Sequence, residues 1–393
     1  MRPIPERQAI VTFKGSEAGL LSETSSGSQF VYDEGWTKTI ACALPVDQRD
    51  HYWRGGLIPF FEHLGPEGWL RGRQAKAGGT ADQDDFGLLL NYAADCIGAV
   101  GIRPADGAAP LHPEHGDIVE EAATTASRTL SGVQKKLLAF RREEGFQPSV
   151  RSSDPATHIA KFNRDDLSTL VQNEHLSLRL AREVLGVAEV TAASVDTVQG
   201  IEGIALLVER FDRDGEQRLR LEDFAQILGK PRGRDFHGKY DGSYEEAASA
   251  IVQHSARSRI DLDRFFRLVV FNLVIGNADA HLKNFSLLER KEGLRLAPAY
   301  DLVNTLVYPQ YDQEIALEIG GRKWPFETLN RALIERLGAD IGLPSTAVTQ
   351  ALSELKDRFE GARVIDFPSH IQPDDFRCLY RDVVREQSHR IFT

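Results

Sequence analysis

The segment RFFRLVVFNLVI, residues 264–275, constrains this chain more than any other. Phe265, Phe266, Val269, Val270, Leu273 and Val274 recur at helical spacing, which predicts a buried helix. GNADAHLKNFSLL follows at 276–288 and crowds an Asp, a His, a Lys and two Asn against that greasy helix. Polar groups so placed are either desolvated at a cost or stand at the mouth of a site.

The 393 residues suffice for two or three domains or subdomains with substantial cores. Nothing approaches the ~18 uncharged apolar residues of a membrane span, and MRPIPERQAI lacks the apolar stretch of a signal peptide. Cys42, Cys96 and Cys378 are far apart and odd in number, which suggests a reducing compartment and gives no metal spacing. A cytoplasmic protein with no membrane association is expected. The net charge of −11 and the scatter of basic residues argue against a surface that binds nucleic acid as a whole.

No fixed-period repeat is visible. GSEAGLLSETSSGSQFVY reads as a strand-rich start, and GGLIPFFEHLGPEGWLRGRQ and DDFGLLLNYAADCIGAVGI as short helical segments. The loop RPADGAAPLHPEHGD closes this first unit; its His112 and His115 lack further ligands nearby and read as plain loop residues. Strands follow in VQKKLLAFRREEGF and THIAKF, then a helix ended by Gly186, then a hairpin through VTAASVDTVQGIEGIALLVERF. Beyond Asp212 the pattern is mostly helical, with one hairpin around FSLLERKEGLRLAPAYD. The expected divisions are 1–107, 122–212 and 213–393. A strand-rich N-terminal lobe carrying one long helix before a mostly helical C-terminal lobe is the layout of an α+β, two-lobed protein-kinase-like fold.

Phosphoryl transfer from ATP needs a carboxylate near the attacking hydroxyl, ligands for Mg²⁺, a cation on the phosphates and a backbone edge for adenine. Asp279 and Asn284 stand five residues apart, the Asp-to-Asn separation of a kinase catalytic loop. Asp301, in AYDLVNT, follows Asn284 by seventeen residues and stands where a second metal carboxylate is expected. His281 completes D-x-H-x-x-N, the order found in lipid-kinase-like enzymes, and so supports the loop. Lys283 either neutralises developing phosphate charge or is a solvated surface lysine. Lys161 lies within a short apolar strand, where it either reaches the ATP phosphates, with Glu174 as its pair, or is an exposed edge-strand lysine. VERFDR is placed as the hinge: main-chain groups of Glu209, Arg210 and Phe211 would bond adenine, and Asp212 either reaches a ribose hydroxyl or belongs to a charged linker. DRDG lacks the rest of a calcium loop. In place of a Gly-rich loop only TLSGVQKKL, with a single Gly132, precedes the strand. Its backbone could still cradle phosphates, helped by Ser131, Gln134 and Lys135 or Lys136.

Taken together, SGVQKKL, THIAKF, NEHLSLRLA, VERFDR, GNADAHLKNFSLL and LAPAYDLVNT resemble, in order, the signature stretches of the HipA family of bacterial serine/threonine kinases, the toxin halves of type II toxin–antitoxin pairs. FFEHLGPEGWLRGR and DDFGLLLNYAADCIGAVGI look like that family's N-terminal subdomain, so the resemblance covers nearly the whole chain. It implies a PI3/4-kinase-like fold of HipA type and ATP and Mg²⁺ as cofactors. Asp279 would be the proton acceptor, and Asn284 and Asp301 would hold magnesium. Lys161 and the loop Ser131, Gly132, Val133, Gln134, Lys135, Lys136 would contact the phosphates. Glu209 to Phe211 would line adenine, with His281, Lys283, Asn284 and Tyr300 close to the nucleotide. Autophosphorylation of that loop silences family members, and alignment on Gln134 offers Thr129 and Ser131. A phosphate there brings nearly two negative charges beside those of ATP. The implied partners are a HipB-like helix-turn-helix antitoxin, which supplies most of the DNA contact, and a protein substrate such as an aminoacyl-tRNA synthetase. An alternative of another class is a catalytically silent co-repressor that binds an antitoxin on operator DNA; a third is a small-molecule kinase of related fold.

Overall fold

Alternating burial builds the first sheet: in β1 (Gln8–Phe13) Ala9, Val11 and Phe13 point inward while their neighbours are more exposed. The computed structural model describes residues 7–108, 117–125, 128–130, 134–366 and 375–393. With β2 (Ser16–Thr24), β3 (Gly27–Tyr32), β4 (Asp50–Arg54) and β5 (Val100–Pro104), β1 forms an antiparallel sheet in the order β4–β3–β2–β1–β5. Helices α1 (Pro59–Glu62), α2 (Gly68–Ala77) and α3 (Asp85–Tyr92) precede β5. The core here gathers Leu21, Phe30, Ile40 and Phe61, with Phe30 and Phe61 edge to face at 5.4 Å.

After α4 (Ile118–Ala123), five strands close into a small barrel in the order β10–β8–β6–β7–β9. These are β6 (Lys136–Arg142), β7 (Gly145–Pro148), β8 (His158–Phe162), β9 (Ala193–Val198) and β10 (Ile201–Glu209). β8 is central, paired antiparallel with both β6 and β10. Between β8 and β9 the chain forms the amphipathic α5 (Leu170–Val184). Short strands β11 (Arg213–Asp214), β12 (Gln217–Arg218) and β13 (Leu221–Asp223) and the one-turn α6 (Phe224–Ile227) follow the barrel.

The chain divides into two compact units, 1–164 with 196–238, and 165–195 with 239–393. In the second unit, α7 (Tyr244–His254) starts at a capping box formed by Ser243 and Glu246. α8 (Ser258–Val274) is the buried helix expected from its sequence, and every residue from Leu268 to Val274 is buried. The hairpin of β14 (Ser286–Arg290) and β15 (Gly293–Leu296) is fastened to α8 by Asp261, whose carboxylate is enclosed by Arg264, Arg295, Ser255 and the Leu296 N–H. Burial would raise the pKa of this carboxyl, but the bonds from Arg295, Ser255 and their neighbours outweigh burial and lower it. Helices α9 (Arg331–Asp340), α10 (Ser345–Glu360) and α11 (Phe376–Phe392) complete the unit. α5 joins them through Ser177, which meets the Tyr380 hydroxyl at 3.0 Å. Among the described residues no helix is long and apolar enough to cross a membrane.

Two expectations need correction. The tail of DDFGLLLNYAADCIGAVGI is a strand rather than helix: β5 pairs with β1, some ninety residues earlier, and no local pattern announces so distant a partner. Likewise the stretch after Asp212 opens with β11 to β13 before becoming helical. His112 and His115 lie outside the described residues.

Candidate active site

The turn that carries Asp279 is built by amides. α8 ends at Gly276, whose φ of 70° a side chain would strain and whose Cβ would approach Leu306 to 2.8 Å. Asn272, on the last turn of α8, accepts at 2.7 Å from the Asn277 amide, and Asn277 in turn accepts the Asp279 N–H at 3.1 Å. Thr305 receives the Ala278 N–H at 2.7 Å and donates to the Gly276 carbonyl at 3.1 Å. The backbone of the loop is thereby satisfied internally. The Asp279 side chain remains 51 % exposed.

Its Oδ1 accepts a hydrogen bond from the Tyr240 phenol, and the His281 Nε2 stands 3.9 Å away. The Tyr240 ring packs edge-on to His281 at 5.1 Å, with the ammonium groups of Lys239 and Lys323 near its face. Tyr240 thus occupies one lone pair of the Asp279 carboxylate. Sequence reasoning missed this residue, which lies thirty-nine positions upstream in no recognisable motif.

Asn284 is buried, and its Nδ2 donates to the Asp301 carbonyl at 3.3 Å while its Oδ1 finds no hydrogen-bond partner among the described residues. An orphaned buried carboxamide oxygen beside an aspartate is the kind of hard donor that Mg²⁺ takes, so these residues fit that ion. Asp301 itself holds a left-handed φ of 57°, tolerated by Asp more readily than by most residues. Tyr300 donates to the Lys283 carbonyl at 2.8 Å and meets Ser286, which ties the segment that carries Asp301 to the loop of Asp279. Asp279, His281, Lys283, Asn284, Tyr300 and Asp301 are therefore brought together.

The first unit gathers the other expected residues. Lys161 is 6 % exposed at the centre of the barrel wall, so it is no exposed edge-strand lysine. In the β6–β8 register its facing residue is Lys136, 9 % exposed. Facing residues on antiparallel strands point to one side, and two ammonium groups on one face favour an anion there. Gln134 donates to the Phe162 carbonyl at 2.8 Å, and the Lys135 ammonium lies over the Phe162 ring at 5.0 Å. Thr129 is buried, its hydroxyl donating to Gln74 at 2.9 Å. Ser131, Gly132 and Val133 lie outside the described residues. Glu174 is buried on α5, in the second unit.

At the expected hinge, Glu209 pairs with His158, and the Arg210 N–H is donated to the Thr157 carbonyl at 2.9 Å, so that amide is not available to adenine. Asp212 does not reach out to a sugar. It is buried, accepts the Gly98 N–H at 2.8 Å and is bound by Arg210 at 2.8 Å and Arg213 at 2.6 Å. Burial pushes its pKa up, but the two arginines prevail and hold it at about 2. Asp212 is a buried anchor for the inter-strand arginines, a role that its position in VERFDR conceals.

Comparison with known proteins shows the family of the chain. The HipA-like C-terminal domain matches residues 128–362 and the HipA N-terminal domain residues 9–103. The chain is 32% identical over 313 residues to the putative kinase Y4dM of Sinorhizobium fredii NGR234, covering 77% of this chain and 75% of that one. It is 29% identical over 327 residues to the serine/threonine-protein kinase toxin HipA of Shewanella oneidensis MR-1, covering 72% and 71%. In fold it matches the structure of the Shewanella oneidensis MR-1 HipA, HipB and operator DNA complex, with a TM-score of 0.73 and 24% identity over 97% of each chain. The fold is accordingly the α+β, kinase-like one expected.

Proposed function

Because the chain belongs to the HipA family, we propose that it is an ATP- and Mg²⁺-dependent serine/threonine protein kinase that acts as a toxin. The observation that carries this reading is the folded D-x-H-x-x-N loop, with the Asp279 carboxylate open to solvent and the orphaned Asn284 Oδ1 beside Asp301. In this reading Asp279 accepts the proton of the attacking hydroxyl, which takes the place of the Tyr240 phenol at Oδ1. Asn284 and Asp301 hold Mg²⁺, which when bound neutralises charge on the phosphates. Lys161 and Lys136 offer their ammonium groups to the same phosphates, with Gln134 and Lys135 fixing the end of the loop. Glu209, Phe211 and the Arg210 carbonyl line adenine, and His281 and Tyr300 keep the catalytic and metal segments in register.

The domains would be an N-terminal subdomain over 1–107, the nucleotide lobe over 122–212 and the substrate lobe over 213–393. A translation component such as an aminoacyl-tRNA synthetase is the proposed protein target, and a HipB-like antitoxin, which carries the DNA contact, the neutralising partner. The phosphate loop would autophosphorylate at Thr129 or Ser131; at Thr129 this requires release of the hydroxyl from Gln74.

Intact-protein mass of the chain incubated with Mg²⁺ and ATP tests the proposal. The parent gains one phosphate at the loop, and Asp279→Asn is slower by roughly 10²–10⁴-fold. Equal phosphorylation of both would remove Asp279 from its role. A parent that neither gains phosphate nor binds ATP would favour the co-repressor.

A further inference from the structure

A residue other than glycine keeps the left-handed φ of Asp301 only where its surroundings impose it, and within the second unit the segment is pinned on both flanks. Upstream, the Ala299 N–H is donated to the Glu189 carbonyl at 2.7 Å, and the Ala299 carbonyl accepts the Thr191 N–H at 3.0 Å. Downstream, one side chain takes both main-chain groups of Asn304. Asn173, the neighbour of Glu174 on α5, accepts the Asn304 N–H at 2.9 Å and donates from Nδ2 to the Asn304 carbonyl at 2.9 Å. The Nδ2 also reaches the Tyr308 hydroxyl at 3.2 Å, which Thr169 meets at 3.1 Å. The N–H groups of Thr305 and Leu306 then close on the Gly276 carbonyl at 3.0 and 3.2 Å. Asn173 and Asn304 are both wholly buried. A main-chain N–H only donates and a carbonyl only accepts, so the Asn173 amide has a single orientation. Its two bonds to one residue copy the hydrogen-bonded pair of an antiparallel ladder, made by a side chain where no strand runs.

We propose that Asn173 is a positioning residue for the metal carboxylate: by clamping Asn304 it holds the backbone of Asp301, three residues earlier, where the Asp301 carbonyl meets Asn284. The inference rests on the kinase reading above, in which Asn284 and Asp301 take Mg²⁺. With the clamp removed, residues 302–304 regain conformational freedom, and Asp301 relaxes out of its left-handed φ. The metal then has to spend part of its binding energy on ordering this segment again, whereas contacts to adenine are made elsewhere and are spared. The coupling is reciprocal, so a bound metal tightens the bond from the Asn304 N–H to Asn173.

The test is calorimetric binding of AMPPNP to the full chain with Mg²⁺ and with EDTA; the ratio of the two affinities is the gain due to the metal. Asn173→Leu should lower that gain about tenfold and leave metal-free binding within about twofold. Ser177→Ala removes another buried bond of the same helix, the one to Tyr380, and should keep the gain of the parent. A parent-like gain in Asn173→Leu, or an equal loss in both variants, would overturn the role of Asn173. Where Asn173→Leu does not fold, hydrogen exchange of the parent decides: Mg²⁺ added to the AMPPNP complex should slow exchange of the Asn304 amide about tenfold, and unchanged exchange would refute the clamp. Asp301→Ala is the separate control, since a parent-like gain there would remove the metal site itself.

Discussion

Asp212 and Asp279 both follow long buried elements, β10 and α8, and their surroundings give them opposite chemistry. At Asp279 the Asn272–Asn277 relay and Thr305 shape the backbone, a phenol meets the carboxylate, and half of the side chain faces water. Asp212 is enclosed by Arg210 and Arg213; near it Arg128 and Arg213 meet Asp95, and Arg218 donates to the carbonyls of Ala94 and Val100. Amides fix geometry without imposing a charge, so a carboxylate they position can still take a proton. Guanidinium groups fix geometry by suppressing that basicity. A scaffold of arginines suits a joint, and a scaffold of asparagines suits a site.

Breaking the arginine joint should have the largest effect. Asp212→Asn leaves buried guanidinium charge uncompensated and should cost about 3–5 kcal/mol in denaturant unfolding; a loss under about 1 kcal/mol would show the network to be dispensable. Acid should do part of the same work. The Asp212 pKa is depressed in the folded chain, so its contribution is complete above the unfolded value near 4 and is lost as pH falls through about 2. The stability gap between the parent and Asp212→Asn should narrow by about 2 kcal/mol between pH 5 and pH 2, and a gap independent of pH would refute the assignment. On the other side of the comparison, Asn277→Ala removes the relay while sparing every charge. It should cost about 2 kcal/mol and lower the rate of autophosphorylation more than it raises the nucleotide dissociation constant. Equal effects on rate and binding would mean that Asn277 does not position Asp279. Gly276→Ala should cost about 1–2 kcal/mol for the left-handed φ, to which the shift forced on Leu306 adds, read as a drop in melting temperature; no drop would show that the turn relaxes freely.

The same contrast explains what could be read from the sequence. Asp279, His281 and Asn284 sit within six residues, and Asp301 follows after a hairpin, so their spacing is a local record of the site. The burial of α8 was equally legible from its apolar period, and β6, β8 and β10 were legible as strands though their burial was not. Gln74, Tyr240 and the contact of Gly98 with Asp212 were not, because each joins residues tens of positions apart: Gln74 reaches Thr129 over fifty-five residues, and Gly98 reaches Asp212 over one hundred and fourteen. The brief strands β11 to β13 escaped for a related reason, being too short to show a period.

The interleaving of the two units has a consequence for how the chain is made. α5 leaves the ribosome long before the rest of its unit, and its Asn173 and Ser177 find Asn304 and Tyr380 only after more than a hundred further residues have been added. Meanwhile the barrel stays open until β10 is complete, because the strands that close it, β9 and β10, follow that same helix. Assembly of the second unit therefore waits on α11, and a nascent chain exposes the apolar face of α5 for about half of its synthesis. Chaperone dependence should then follow the translation rate between residues 185 and 380, and a slowed ribosome in that stretch would prolong the interval in which no phosphoryl-transfer site exists.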